Sequence, residues 1–370
     1  MSIVWLALSL VKGLGNRKIA AIHRELPDLT YNDLSHPKNL RILKDIVKSP
    51  SIISDITDSY YLHTINEKAK QLIAKHNSAE IEVITIGDTR YPELLKMIDD
   101  PPVALYCKGN IKALESKKNI AVVGTRKPTE LGIKAAQKVA SVFTKMGYNI
   151  VSGLAEGIDT AGHVGALREE GITIAVMAGS LDKIYPKKNE SLAKDILNKN
   201  GLLISEKALG EASNRSAFVQ RDRIQSGLSI GVCPVQTDIV GGTQHTIKYA
   251  KSQNRIIFCP KPLESIELAP TRGIYKLISE DRNVHVIEDS NDYQKIDKAL
   301  KELSNKLIIR SKSSVEKISN IDTSYQLDIF NNTITASDKE FEEQISKLVK
   351  LSKEKKVTKD QLIQKINAYY

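Results

Sequence analysis

Cysteine and tryptophan are scarce in this chain, with three of the first and one of the second among 370 residues. Cys107, Cys233 and Cys259 lie far apart, which excludes a disulfide framework and a C-x-x-C zinc spacing. A reducing cytoplasm is the simplest setting for them. No run of about 18 apolar residues is present, so no membrane-spanning helix is expected. The apolar start, Ile3 to Val11, has no basic segment before it and runs straight into Lys12-Gly13-Leu14-Gly15. It reads as part of the fold and not as a signal peptide. Neither a Walker A sequence nor G-x-G-x-x-G occurs, so ATP hydrolysis and a dinucleotide fingerprint are not implied. No His, Cys, Asp or Glu cluster has metal-ligand spacing, and no Ser or Cys sits in a nucleophile elbow. The chain therefore reads as a binding protein without cofactor, metal or catalytic constellation. What it has in surplus is positive charge: 54 Lys+Arg against 44 Asp+Glu, a net +10. That surplus favours a polyanionic partner only if it gathers in one place.

Residues 1–78 read as a small helical domain. Ile19, Ile22, His23 and Leu26 recur at helical spacing, as do Leu40, Leu43, Ile46 and Val47, then Ile65, Ala69, Leu72 and Ile73. Gly13-Leu14-Gly15 between the first two helices is either a cap and turn or a hairpin-like element whose N–H groups meet a phosphate. From Glu80 the pattern changes to short, almost continuously apolar runs: 82–86, 120–123, 149–151, 173–177, 202–204, 230–233 and 255–258. Such runs suit strands buried on both faces of a parallel sheet. Helical segments fall between them at 131–145, 160–169, 189–198 and 246–252. The expected class is α/β: an extended Rossmann-like, doubly wound sheet over 79–290. Residues 291–336 read as a linker rich in Ser, Asn and Lys. Residues 337–370 regain helical periodicity, with Phe341, Ile345, Leu348 and Leu351 on one stripe and a Thr358–Gln361 capping box. They fit a winged-helix-like module or a plain helical hairpin.

Ligands of such sheets bind beyond the carboxyl ends of the strands. Four loops there carry glycine beside hydroxyl side chains: Gly124-Thr125-Arg126-Lys127, Ser152-Gly153, Gly179-Ser180, and Gly241-Gly242-Thr243. Glycine lets backbone N–H groups approach a phosphate, and helix N-termini behind these loops favour anions. Tight turning alone also demands glycine. Arg126, Lys127, Lys187 and Lys188 follow the strands, and Arg215, Arg221 and Arg223 fall in what reads as a long loop after Ser205. Arginine supplies bidentate phosphate contacts and stacks on bases. Phe218 is either a base-stacking platform or a loop anchor. Asp159 and His163, four residues apart on a helix, read as a structural pair.

In these motifs the chain resembles the DprA/Smf family of bacterial DNA-processing proteins. The resemblance runs through Tyr91-Pro92-Glu93-Leu94-Leu95, Asp100-Pro101-Pro102, Val123-Gly124-Thr125-Arg126, Ser152-Gly153-Leu154-Ala155-Glu156-Gly157-Ile158-Asp159, Gly179-Ser180-Leu181-Asp182 and Ser205-Glu206. It implies single-stranded DNA binding, a homodimer formed through the Rossmann domain, and help in loading RecA recombinase during natural transformation. It places Arg126, Arg221 and Arg223 in the DNA pocket. Three features depart from the family pattern. Asp222 stands where the family has asparagine between the two arginines. Gln236 and Gly241-Gly242-Thr243 replace an acid and a Ser-Gly pair, and Pro260-Lys261 replaces Pro-Gly. The alternative is a divergent Rossmann sensor of a nucleotide-like ligand, acting in defence against foreign DNA. A phosphoribohydrolase is disfavoured, because its motif proline, third glycine and catalytic glutamate are missing.

Overall fold

The computed structural model describes residues 3–211 and 213–307. The segment expected to be a C-terminal helical module, 337–370, and most of the expected linker lie outside these residues. Residues Met1–Ser304 form one compact unit.

Five helices come first: α1 (Ile3–Ser9), α2 (Asn16–Glu25), α3 (Pro37–Val47), α4 (Pro50–Thr57) and α5 (Ser59–Asn77). Their apolar faces bury Trp5, Ile19, Ile22, Leu43, Ile56 and Ile65, which join the same core as the sheet. Proline opens α3 and α4 at the first turn, where its missing N–H costs nothing and its fixed φ suits a helix. Asp58 caps α5 by accepting from Tyr61 N at 2.6 Å.

Among the described residues the sheet has nine strands: β1 (Glu82–Thr85), β2 (Ala104–Gly109), β3 (Asn119–Val123), β4 (Asn149–Ser152), β5 (Thr173–Met177), β6 (Leu202–Ser205), β7 (Gly231–Pro234), β8 (Ile256–Pro260) and β9 (His285–Ile287). Their order is β1-β2-β6-β5-β4-β3-β7-β8-β9. From β6 to β9 every pairing is parallel, and β3 to β7 are fully buried. This is why those strands read as unbroken apolar runs. The first two strands differ: β1 pairs antiparallel with β2, and β2 antiparallel with β6. Strand β2 was legible only as a motif, because Pro101-Pro102 before it look like a loop.

Further helices are α6 (Glu93–Lys96), α7 (Glu130–Lys145), α8 (Ile158–Arg168), α9 (Glu190–Asn198), α10 (Arg215–Leu228), α11 (Gly242–Ser252) and α12 (Ala269–Glu280). Helix α10 corrects the sequence reading, which took Arg215, Arg221 and Arg223 for loop residues. Asn214 caps it by accepting from Ala217 N at 2.9 Å. Its buried face includes Arg221, Asp222, Arg223, Gln225 and Ser226, so it has no clean apolar stripe to betray it. The stretch from 291 is also not a linker at its start. Residues 290–307 are helical and bury Tyr293, Ile296 and Leu300.

Helices α7 and α8 pack through a glycine contact. A Cβ on Gly165 would lie 2.5 Å from Gln137 O and 2.8 Å from Ala140 Cβ. Alanine normally gains about 1 kcal/mol over glycine inside a helix. Here the backbone contact outweighs that gain, so Gly165→Ala is expected to lose about 1–3 kcal/mol of stability. Gly242→Ala, with no atom near the added methyl, is expected to change stability little. Chemical denaturation of both variants checks the pair, and a Gly165→Ala midpoint at or above wild type would refute the contact.

Candidate nucleic-acid interface

Strands β4 to β6 are laid down on one side of β3, and β7 to β9 on the other. The loops leaving β3 and β7 therefore diverge, and a crevice opens between them, as expected for a doubly wound sheet. The cleft there has a volume of about 490 Å³. Gly124–Lys127 form one wall, Thr237–Thr243 the other, and Asp159, Phe218, Arg221, Asp222 and Gln225 line its depth. The two walls are fixed to each other: Thr125 N donates to Gln236 O at 2.7 Å, and Thr129 N donates to the Gln236 side chain at 2.9 Å. Gly241 and Gly242 open α11 with no side chain crowding them, which leaves a helix N-terminus facing the cleft.

The mouth is aromatic and cationic. Arg126 is exposed, and its guanidinium lies 5.2 Å from the centroid of the Phe218 ring. Phe218 is half-buried and meets Tyr185 edge-to-face at 5.7 Å. Tyr185 is 57% exposed. Arg126, Tyr185, Phe218 and Arg221 also share a smaller groove beside the main cleft. Lys187 and Lys188 follow on an exposed turn, where Lys188 pairs with Glu156 at 3.3 Å. Both of that pair are exposed, so the pairing is weak and leaves the lysine available.

The floor is a buried charged cluster. Arg221 lies between two acids, with Nη1 3.8 Å from Asp159 Oδ2 and Nε 3.6 Å from Asp222 Oδ1. The Gln225 amide, turned so that its oxygen faces the donors, accepts from Arg221 Nη1 at 2.6 Å and from Gly153 N at 2.7 Å. Its nitrogen donates to Asp222 Oδ1 at 3.2 Å. Asp159 also accepts from Gly153 N at 3.1 Å and Ala155 N at 3.4 Å. Burial raises the Asp159 carboxyl, opposed by Arg221 and these backbone donors. Gly153 is required here, because a Cβ on it would sit 1.2 Å from Arg221 Nη1.

The structure brings Gly124, Thr125, Arg126, Lys127, Phe218, Arg221, Gly241, Gly242 and Thr243 to one cleft, and Gly153 to its side groove. Other expected site residues lie elsewhere. Ser152 is buried, with its hydroxyl donated to Val122 O at 2.6 Å. Ser180 donates to Glu211 O at 3.2 Å, and Gly179 lies under Ser213. Arg223 points away from the cleft into a bidentate pair with Glu206, at 2.7 and 2.9 Å, and donates to Asp100 O. Glu206 accepts in turn from Asn16, at the start of α2. The Gly13-Leu14-Gly15 turn thus leads into a tie to the β6–α10 connection. The expected Asp159–His163 pair does not form. His163 shares a 2.6 Å hydrogen bond with Thr173 Oγ1, and burial, with Arg221 near, lowers it to about 3. Gln225 and Tyr185 were missed. Gln225 stands four residues after Arg221, a spacing that means contact only on a helix.

Comparison with known proteins agrees with this architecture. Residues 82–296, more than half of the chain, match the model of the DNA recombination-mediator protein A family. The DNA processing protein DprA of Bacillus subtilis is 34% identical over 225 residues, 61% of this chain and 73% of that protein. The solved structure of DNA processing protein A from Streptococcus pneumoniae superposes with a TM-score of 0.63 at 29% identity, over 80% of this chain and 97% of that one. The Helicobacter pylori protein, solved for insight into its single-stranded DNA binding mode, gives 0.51 at 28% identity, over 57% and 93%. The resemblance seen in the motifs thus extends to the fold, and this chain belongs to the DNA recombination-mediator protein A family.

Proposed function

We propose that the chain binds single-stranded DNA through the cleft between the loops of β3 and β7, as a binding protein and not as an enzyme. One observation carries this reading: a guanidinium, an exposed tyrosine and a half-buried phenylalanine stand together at the mouth of a cleft with a helix N-terminus on its far wall. The N–H groups and Arg126 suit phosphates, while the Phe218–Tyr185 edge offers ring surface to bases. Stacking on such aromatics is tolerant of sequence and needs unpaired bases. A duplex hides those faces, so preference for single strands follows from the chemistry of the mouth. The family's description as a recombination mediator supports a role in handing the strand to a recombinase, here RecA, during DNA uptake. A homodimer is part of the same proposal. Exposed apolar Ile239, Val240, Leu263 and Ile266, in the loops after β7 and β8, support it. The three buried, unpaired cysteines fit action in the cytoplasm.

Fluorescence anisotropy with a rhodamine-labelled oligothymidylate tests the reading, with duplex DNA and a deoxynucleoside monophosphate as competitors. Single strands are expected to compete well and duplex poorly. Equal competition by duplex, or full displacement by the mononucleotide at similar concentration, overturns the reading; the second outcome favours a nucleotide sensor. Arg126→Ala is expected to lose about 1–3 kcal/mol of binding. It should also flatten the plot of log affinity against log salt by roughly 0.7.

Arg223→Ala is expected to behave differently. It leaves Glu206 without its buried partner, so folding stability should fall by about 3–5 kcal/mol. Affinity measured on the folded fraction should stay near wild type. Thermal melting beside the same anisotropy assay separates the two arginines, and a selective loss of affinity in Arg223→Ala would place it back in the cleft.

A further inference from the structure

The floor of the cleft holds two carboxylates and a single guanidinium. Asp159, Arg221 and Asp222 are 5%, 7% and 8% exposed. With both acids ionised the cluster carries a net charge of −1, away from water and beside the place where phosphate is to bind. A buried carboxylate that shares its only close cation with another takes up a proton instead. The groups acting on Asp222 come from four elements. Helix α10 supplies Arg221, and α8 supplies Asp159 and carries His163, which burial keeps neutral. The β3–α7 loop supplies Arg126, and α11 supplies the Thr246 hydroxyl and carries exposed His245. Arg126 is exposed at the mouth and is screened by solvent. It does not balance the second acid.

We propose that Asp222 enters the ligand complex in its protonated form, as a hydrogen-bond donor to a phosphate oxygen, so that single-stranded DNA binds together with one proton. The proposal rests on the single-stranded DNA reading and adds proton linkage to it. Burial pushes the Asp222 carboxyl up to about 7; Asp159 adds to the rise, and Arg221 opposes it. An arriving phosphate is one more negative charge at the same place, so it shifts Asp222 further in the same direction. The complex then holds a proton that the free protein has lost above about pH 7. Affinity is greatest below that pH and falls as pH rises, by up to about tenfold per unit for one linked proton.

The experiment is anisotropy with the rhodamine-labelled oligothymidylate from pH 6 to 9 at constant ionic strength. For the wild type, Kd is expected to rise at least tenfold between pH 7 and 9. Asp222→Asn carries an N–H donor at every pH. It is expected to bind with little pH dependence, and more tightly than wild type at pH 9. His245→Gln is expected to keep the wild-type profile, because His245 is exposed and stands outside the buried cluster. A wild-type Kd that does not change with pH overturns the proposal, as does a wild-type slope persisting in Asp222→Asn. If no oligothymidylate binds even at pH 6, the DNA reading fails by itself. The proton is then followed directly by carbon NMR titration of the Asp222 carboxyl with and without inorganic pyrophosphate. A raised midpoint upholds the link, and an unmoved one overturns it.

Discussion

Arg221 is the one cation that the floor of the cleft cannot do without. It is held by Asp159 from α8, by Gln225 and Asp222 from its own helix, and by the bare backbone of Gly153 after β4. Each of those partners belongs to a segment that must arrive in register for the guanidinium to fit. Asp159 in turn accepts the N–H groups of the β4–α8 loop. One side chain therefore ties two helices and a strand end together beneath the mouth. A guanidinium suits this task because one N–H of its planar fork bonds the Gln225 oxygen while its spread charge faces both carboxylates. The arrangement also explains why the loops above keep their shape. The walls carrying Thr125 and Gln236 bond to each other above the buried cluster.

Much of the fold was legible in the sequence because it follows from burial. Strands β3 to β8 are apolar along most of their length, since helices cover both faces of the sheet, and glycine marks the points where chain and helix meet closely. What was not legible follows from the opposite situation. Helix α10 buries arginine, aspartate, glutamine and serine. Patterns of apolar spacing cannot see a helix whose inner face is polar. Once α10 is known, the Arg221–Gln225 contact follows from a spacing of four. Arg223, two residues on, falls on another side of the helix, toward Asp100 and Glu206. The motif that sets the two arginines two residues apart thus joins a cleft-facing residue to a structural one. Ser152 and Ser180 show the same limit. A hydroxyl at a strand end serves the neighbouring backbone carbonyl as readily as a phosphate, and in both cases the carbonyl takes it.

The surplus of ten positive charges takes on a narrower meaning in this light. Arg223 is neutralised by a carboxylate, and Arg255 donates to carbonyls of Ser226, Gly227 and Leu94. The first therefore adds little to a field at the cleft, and the second is turned onto buried carbonyls and not toward the cleft. Arg221 faces two acids. The cations that meet the ligand side without a buried counter-charge are Arg126 and Lys127, with Lys187 and Lys188 further along the rim. If the cleft binds a nucleic acid as proposed, so few cations would release few counterions, and electrostatics alone would supply modest affinity and a shallow salt dependence. The remainder has to come from ring surface and backbone donors, terms that salt does not screen. On the single-stranded DNA reading proposed above, this balance would suit a protein that holds a strand and then releases it. On that same reading, strong ionic capture would oppose release, whereas stacking on rings such as Tyr185 and Phe218 would be given up base by base.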